Sequence, residues 1–194
     1  MYHIAIISAS VRTGRRSHRV ALFFRRFIEE NHFGTVDLID LKEFQLPLFD
    51  ERLEYQKEPT AQMLDFSDRI KKADGVLIVT PEYNGGYPAS LKNVSDFLYD
   101  EWHRKPIGIS TVSDGPFGGM QVITSIQYSF WKMRAWTIPA LFPVPKVQDA
   151  FDEEGNPTEP ATMNKRARMY ISELLYSIEA KHRMKDYIPI ADRK

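Results

Sequence analysis

The chain predicts a doubly wound α/β sandwich, with a five-stranded parallel sheet of order 2-1-3-4-5 between two layers of helices. Three observations predict it. Short apolar runs alternate with helical patterns along 194 residues. The run Gly75-Val76-Leu77-Ile78-Val79-Thr80 is continuously apolar, as a strand covered on both faces must be. Polar loops follow the first, third and fourth apolar runs, at the end of the sheet where such folds hold anionic ligands.

Tyr2-His3-Ile4-Ala5-Ile6-Ile7 forms the first strand. After a polar loop, Val20, Phe23, Phe24, Phe27 and Ile28 recur at helical spacing, with Arg19, Arg25, Arg26, Glu29 and Glu30 on the other faces, and the helix ends near Gly34. Thr35 to Asp40 reads as a short second strand, and Phe44 to Asp50 as a loop with apolar anchors. A second helix runs from about Thr60 to Lys72, carries Met63, Leu64, Ser67 and Ile70 on one face, and stops at Asp74-Gly75. The third strand follows directly. A third helix spans about Pro88 to Tyr99, with Pro88 in its first turn and Leu91, Val94 and Leu98 at core spacing.

Lys105 to Thr111 reads as the fourth strand, Met120 to Met133 as a helix, and Leu141 to Val147 as the fifth strand. Asp149 to Pro157 is polar and rich in turn residues, which predicts a surface loop. The last helix runs from about Pro160 to Met184, with Met163, Ala167, Tyr170, Ile171, Leu174, Leu175 and Ile178 facing inward. There is no internal repeat, and the length predicts one domain over residues 1–194.

Lys+Arg and Asp+Glu balance at 26 each, so no general electrostatic case exists for nucleic acid or an anionic membrane as partner. Cysteine is absent, which excludes disulfides, thiol nucleophiles and thiolate metal centres and fits a reducing compartment. His3, His18, His32, His103 and His182 show no metal-ligand spacing. No apolar run approaches membrane-spanning length and no signal peptide pattern opens the chain, so a cytoplasmic protein is the simplest expectation.

The loop Ser8-Ala9-Ser10-Val11-Arg12-Thr13-Gly14-Arg15-Arg16-Ser17 has the chemistry of a phosphate cradle. Hydroxyls of Ser10, Thr13 and Ser17 can bond phosphate oxygens, the arginines supply charge and planar forks, and a helix start presents unpaired N–H groups. A solvated basic loop capped by Ser17 is the plainer alternative. Two further loops should meet it: Pro81-Glu82-Tyr83-Asn84-Gly85-Gly86-Tyr87-Pro88 after the third strand, and Ser113-Asp114-Gly115-Pro116-Phe117-Gly118-Gly119 after the fourth. Tyr83 can pack on a planar ring and Asn84 can bond its polar edge, although turns alone also explain the Gly, Asn and Pro. The G-x-G-x-x-G and G-x-x-x-x-G-K-[ST] fingerprints are absent, although Asp37 or Asp40 could imitate a ribose-binding acid. A Ser/Thr/Arg loop in a short doubly wound domain points instead to a flavin mononucleotide phosphate.

Ser10-Val11-Arg12 with Arg15, Arg16 and Ser17, together with Pro81 through Asn93, resembles the NADPH-dependent FMN reductase family, which includes quinone, azo-dye and chromate reductases. The resemblance extends over roughly residues 2 to 180 and implies a flavodoxin-like three-layer sandwich. It implies FMN with its phosphate on Ser10, Arg12, Arg15, Arg16 and Ser17. The isoalloxazine would lie against Pro81, Glu82, Tyr83, Asn84 and Gly85, with Ser113, Asp114 and Gly115 near its pyrimidine side. Family members are commonly dimers or tetramers, which implies a homodimer or homotetramer here. Two departures stand out: Ala9 replaces the usual Gly, and Asp114, Pro116 and Phe117 interrupt a loop that is often Ser-Tyr-Gly-Gly-His-Gly-Gly. An aspartate near N1 of the ring would disfavour negative charge there after reduction.

The implied activity is FMN-dependent NAD(P)H oxidoreduction: hydride from NADPH or NADH to flavin N5, then two electrons to a quinone-like or other small acceptor in a ping-pong cycle. No side chain need act as a catalytic group. Tyr87 and Phe117 are the candidate walls of the acceptor pocket, because their loops point at the ligand. The competing readings are a flavin-binding electron carrier and a non-enzymatic regulatory flavoprotein. Carrier flavodoxins are typically acidic around the cofactor, which this chain is not.

Overall fold

A computed structural model describes residues 1–44 and 46–187. Its elements are β1 (Tyr2–Ser8), α1 (Ser17–Glu30), β2 (Gly34–Asp40), α2 (Ala61–Lys72), β3 (Gly75–Pro81), α3 (Ala89–Phe97), β4 (Pro106–Val112), α4 (Val122–Lys132), β5 (Trp136–Val144), α5 (Val147–Ala150) and α6 (Pro160–Arg183). All strand pairs are parallel and the order is β2-β1-β3-β4-β5. This is the topology that the alternation of strands and helices predicts.

Side chains alternate across the sheet, so each central strand feeds two cores. Ile4 and Ile6 of β1 and Leu77 and Val79 of β3 join Val20, Phe24 and Ile28 of α1 and Tyr170, Ile171 and Leu174 of α6. Their neighbours Ala5, Ile7, Val76 and Ile78 face Phe66 and Ile70 of α2, Leu91 and Val94 of α3, and Ile126 and Phe130 of α4. Full burial of β3 through Thr80 explains its unbroken apolar sequence.

Several boundaries differ from the sequence expectation for physical reasons. The fifth strand begins at Trp136 and ends at Val144, rather than spanning Leu141 to Val147. It is an edge strand, where Pro139 and Pro143 are tolerated, and its register with β4 shifts between Ile107 and Ile109. Beyond it, Lys146 takes a left-handed conformation (φ 45°) that turns the chain before Val147. The second helix buries Met63, Phe66, Ser67 and Ile70, and Leu64 is exposed. Thr60 caps that helix through Met63 N–H at 3.3 Å. The third helix stops at Phe97, and Leu98 continues in extended conformation with its side chain buried.

The segment Asp149 to Pro157 is more than a surface loop. It begins inside α5, and Phe151 inserts against Phe23 of α1 with ring centroids 5.3 Å apart. Of the anchors expected in 44–50, Phe44, Leu46 and Phe49 pack on the second core while Leu48 is exposed; Gln45 lies outside the described residues.

Lys105 is buried at the start of β4, where its ammonium donates to the carbonyls of Ile70, Lys71 and Ala73 at the end of α2. Burial, with help from Lys181, pulls its pKa down to about 8, so it is mostly charged at neutral pH. A charged donor there satisfies carbonyls that the helix end leaves unpaired.

Candidate functional site

The loops after β1, β3 and β4 converge at the carboxyl edge of the sheet around a cavity of about 340 Å³. Its walls are Ser10, Arg12, Gly14, Arg15, Arg16 and Ser17 from the first loop, Pro81, Glu82 and Tyr83 from the second, and Val112, Ser113 and Asp114 from the third, closed by Val147. The crevice is the topological switch point, because β1 is followed by a crossover to β2 on one side and β3 leads away on the other.

Ser17 is the first residue of α1 and its hydroxyl is buried with no hydrogen-bond partner among the described residues. The alternative in which Ser17 caps the helix is corrected here: Arg16 holds the cap position, and no side chain caps α1. An uncapped helix start with an orphaned buried hydroxyl is chemically matched to an acceptor oxygen supplied from outside the chain. Ser10, fully buried, shares a hydrogen bond with the Tyr83 hydroxyl at 2.6 Å. The Tyr83 ring sits 5.4 Å from the Arg12 guanidinium. The residues present therefore fit the phosphate end of FMN.

The three arginines of the predicted cradle take different positions. Arg12 is exposed at the cavity wall. Arg15 turns its fork onto both carboxylate oxygens of Asp40 and also donates to the Ser10 carbonyl at 2.7 Å. Arg16 pairs with Asp114 at 3.1 Å across the cavity mouth. Asp114 thus faces the first loop. Neither candidate ribose acid is free for that task, since Asp37 pairs with Arg69.

Behind the cradle, His18 Nδ1 lies 3.0 Å from Ser8 Oγ and 3.6 Å from Asp40. Burial, together with Arg15, lowers the His18 pKa against the pull of Asp40. Burial pushes the Asp40 carboxyl up, but hydrogen bonds from Arg15 and the Lys42 backbone, with the charges of Arg15 and His18, hold it below its ordinary value.

In the second loop, Tyr83 and Gly86 exchange backbone hydrogen bonds of 2.8 and 3.0 Å around Asn84 (φ 53°) and Gly85 (φ 78°). Two successive positive φ values are what Asn-Gly turns supply. Asn84 and Gly85 lie at this tip and do not line the cavity, nor does Gly115. In the third loop, Gly118 (φ 64°) backs onto β5, where a Cβ would come within 2.9 Å of Pro143. Phe117 beside it is 80% exposed. Ala9 is not among the positive-φ residues, so the loss of glycine there strains nothing.

Tyr87 departs from its expected place. Its ring packs on the second core and its hydroxyl meets Ser129 of α4 at 2.9 Å, away from the cavity lining. Two contributors, Gly14 and Val147, escaped the sequence reading, and Asp40 takes part as the partner of Arg15 instead of as the ribose acid weighed for it. Asp40 sits beside the site because the register pairs it with Ser8. Gly14 and Val147 line the cavity; Val147 was hidden because the fifth strand was expected to run through it.

Comparison with known proteins bears on the same residues. The profile of the NADPH-dependent FMN reductase family matches residues 2–149. An NAD(P)H-dependent FMN reductase of Schizosaccharomyces pombe is 36% identical over 148 residues, 71% of this chain and 72% of the relative. A quinone reductase of Pseudomonas putida is 31% identical over 134 residues, 66% of this chain and 69% of its own length. Among solved structures, a flavoenzyme NAD(P)H:(acceptor) oxidoreductase from Paracoccus denitrificans superposes with a TM-score of 0.75 at 22% identity, covering 93% of this chain and 98% of that one, and so shares its fold. With the profile spanning most of the chain and the cavity formed by the loops that carry the motifs, this chain belongs to the NADPH-dependent FMN reductase family of flavin-dependent oxidoreductases.

Proposed function

We propose that the whole chain acts as one FMN-binding domain that oxidises NAD(P)H and reduces a quinone-like or other small acceptor in two alternating half-reactions. The observation that carries this reading is the orphaned Ser17 hydroxyl at the uncapped start of α1, inside the cavity made by the three loops. Bound FMN supplies the two-electron chemistry, and the chain supplies binding and orientation.

Ser10, Arg12, Ser17 and the first N–H groups of α1 hold the phosphate, with Arg16 at the rim. Arg15 acts one step back, fixing the loop's shape through Asp40 and the Ser10 carbonyl. Pro81, Glu82, Tyr83, Asn84 and Gly85 flank the ring, and Ser113 and Gly115 face it from the third loop, while Asp114, expected beside the ring, turns to Arg16 at the phosphate end. Phe117 is free to cover the entrance, and we reassign Tyr87 from acceptor contact to support of the second loop, given its bond to Ser129. The names of the relatives, an FMN reductase and a quinone reductase, support the substrate class.

Self-association accompanies this reading. Tyr128 and Trp131 on α4 are 62% and 64% exposed and lie against one another at 5.9 Å between ring centroids, an aromatic pair suited to burial in a homodimer or homotetramer. No described helix is long and apolar enough to cross a membrane, in keeping with the proposed cytoplasmic location.

The test is the visible spectrum of the FMN-loaded protein, recorded without oxygen before and after NADPH and again after a quinone is added. Flavin bands that bleach and then return support the two half-reactions. Bands that stay unchanged after NADPH support a carrier or regulatory role instead.

A further inference from the structure

Two carboxylates divide the arginines of the first loop. Asp40 holds Arg15 in a nearly buried pair, with side chains 7% and 12% exposed. Asp114 holds Arg16 in an open pair, with side chains 69% and 42% exposed. Among the described residues, no carboxylate lies within ion-pair distance of Arg12. A phosphate monoester carries close to two negative charges at neutral pH. The cradle therefore offers that charge one unpaired guanidinium, and a second only if Arg16 leaves Asp114.

We propose that Asp114 sets the affinity of the site for the cofactor's phosphate by competing with it for Arg16. The inference rests on the FMN reading above. The two arginines differ in kind: Arg15 is locked by two parallel hydrogen bonds and a third to the Ser10 carbonyl, whereas the Arg16 pair is solvated and easily exchanged. An exposed pair is a weak competitor, so Asp114 weakens phosphate binding without blocking it. The acidic group belongs to the phosphate end of the cavity, and its influence on the ring is secondary.

The experiment titrates FMN and riboflavin, which lacks the phosphate, into the flavin-free wild type, Asp114→Asn, Arg16→Met and the double variant, following flavin fluorescence. Asp114→Asn should tighten FMN roughly threefold to fivefold and leave riboflavin unchanged. The gain should vanish when Arg16 is Met, and should shrink at high salt. An unchanged FMN affinity in Asp114→Asn overturns the proposal. So does a gain that survives Arg16→Met, or an equal gain for riboflavin, which would move the action of Asp114 to the ring. If the wild type binds neither flavin, the FMN reading itself fails, an outcome distinct from the other three.

Discussion

The hydroxyls of Ser10 and Tyr83 lie 2.6 Å apart, so the loop after β1 is tied directly to the loop after β3. One hydrogen bond thus joins the phosphate end of the cavity to the segment proposed to flank the ring. Tyr83→Phe removes the tie and leaves the buried Ser10 hydroxyl with only the long bond it accepts from the Arg12 N–H at 3.4 Å. The flavin-free protein should lose about 1 kcal/mol of stability, measured by chemical denaturation, with the fold retained.

Ser17→Ala separates a ligand contact from a structural one. The Ser17 hydroxyl has no partner among the described residues, so its removal should leave flavin-free stability unchanged within about 0.5 kcal/mol. FMN binding, read by fluorescence titration, should weaken roughly tenfold, because a contact to a charged phosphate is lost. A large drop in stability with unchanged FMN affinity would overturn the assignment.

Asp40 makes the site acid-sensitive. Its folded-state pKa lies below the ordinary carboxylate value of 3.8, so its contribution to stability is complete above that value and is lost as the pH falls through the lower folded one. Asp40→Asn should cost about 2 kcal/mol at pH 7 by leaving the Arg15 fork half-satisfied, and should flatten the acid limb of the stability profile. Denaturant melts between pH 2 and pH 7 check both expectations.

Lys105→Met should destabilise the fold by about 2 kcal/mol, since it strands the Ile70, Lys71 and Ala73 carbonyls at the buried end of α2. Hydrogen exchange should show the loss concentrated in the last turn of α2. FMN affinity should be untouched, because Lys105 enters β4 at the end opposite the cavity.

Much of this architecture was legible in the sequence where burial is symmetrical. β1 and β3 are covered on both faces, so their apolar runs are unbroken, and α1 advertises itself by Val20, Phe24 and Ile28. β5 was not legible at its start, because an edge strand alternates and tolerates Pro139 and Pro143. The hydroxyls and cations of the first loop were visible as chemistry, but their partners were not. Arg15 and Asp40 are 25 residues apart in sequence, and only the pairing of Ser8 with Asp40 across β1 and β2 brings them together. Loop membership says nothing about which way a ring turns, and the Tyr87 hydroxyl meets Ser129 of α4, a partner 42 residues away in sequence.

The packing of α1 ties the first loop to a helix distant in sequence. The helix that opens the cradle shares its apolar face with Tyr170, Ile171 and Leu174 of α6, and Phe151 wedges against Phe23 from the segment between. A ribosome delivers the cradle's own residues first and their covering helix more than a hundred residues later. Until α6 is in place the apolar face of α1 lacks Tyr170, Ile171 and Leu174, so the helix start that presents Ser17 depends on residues made long after it.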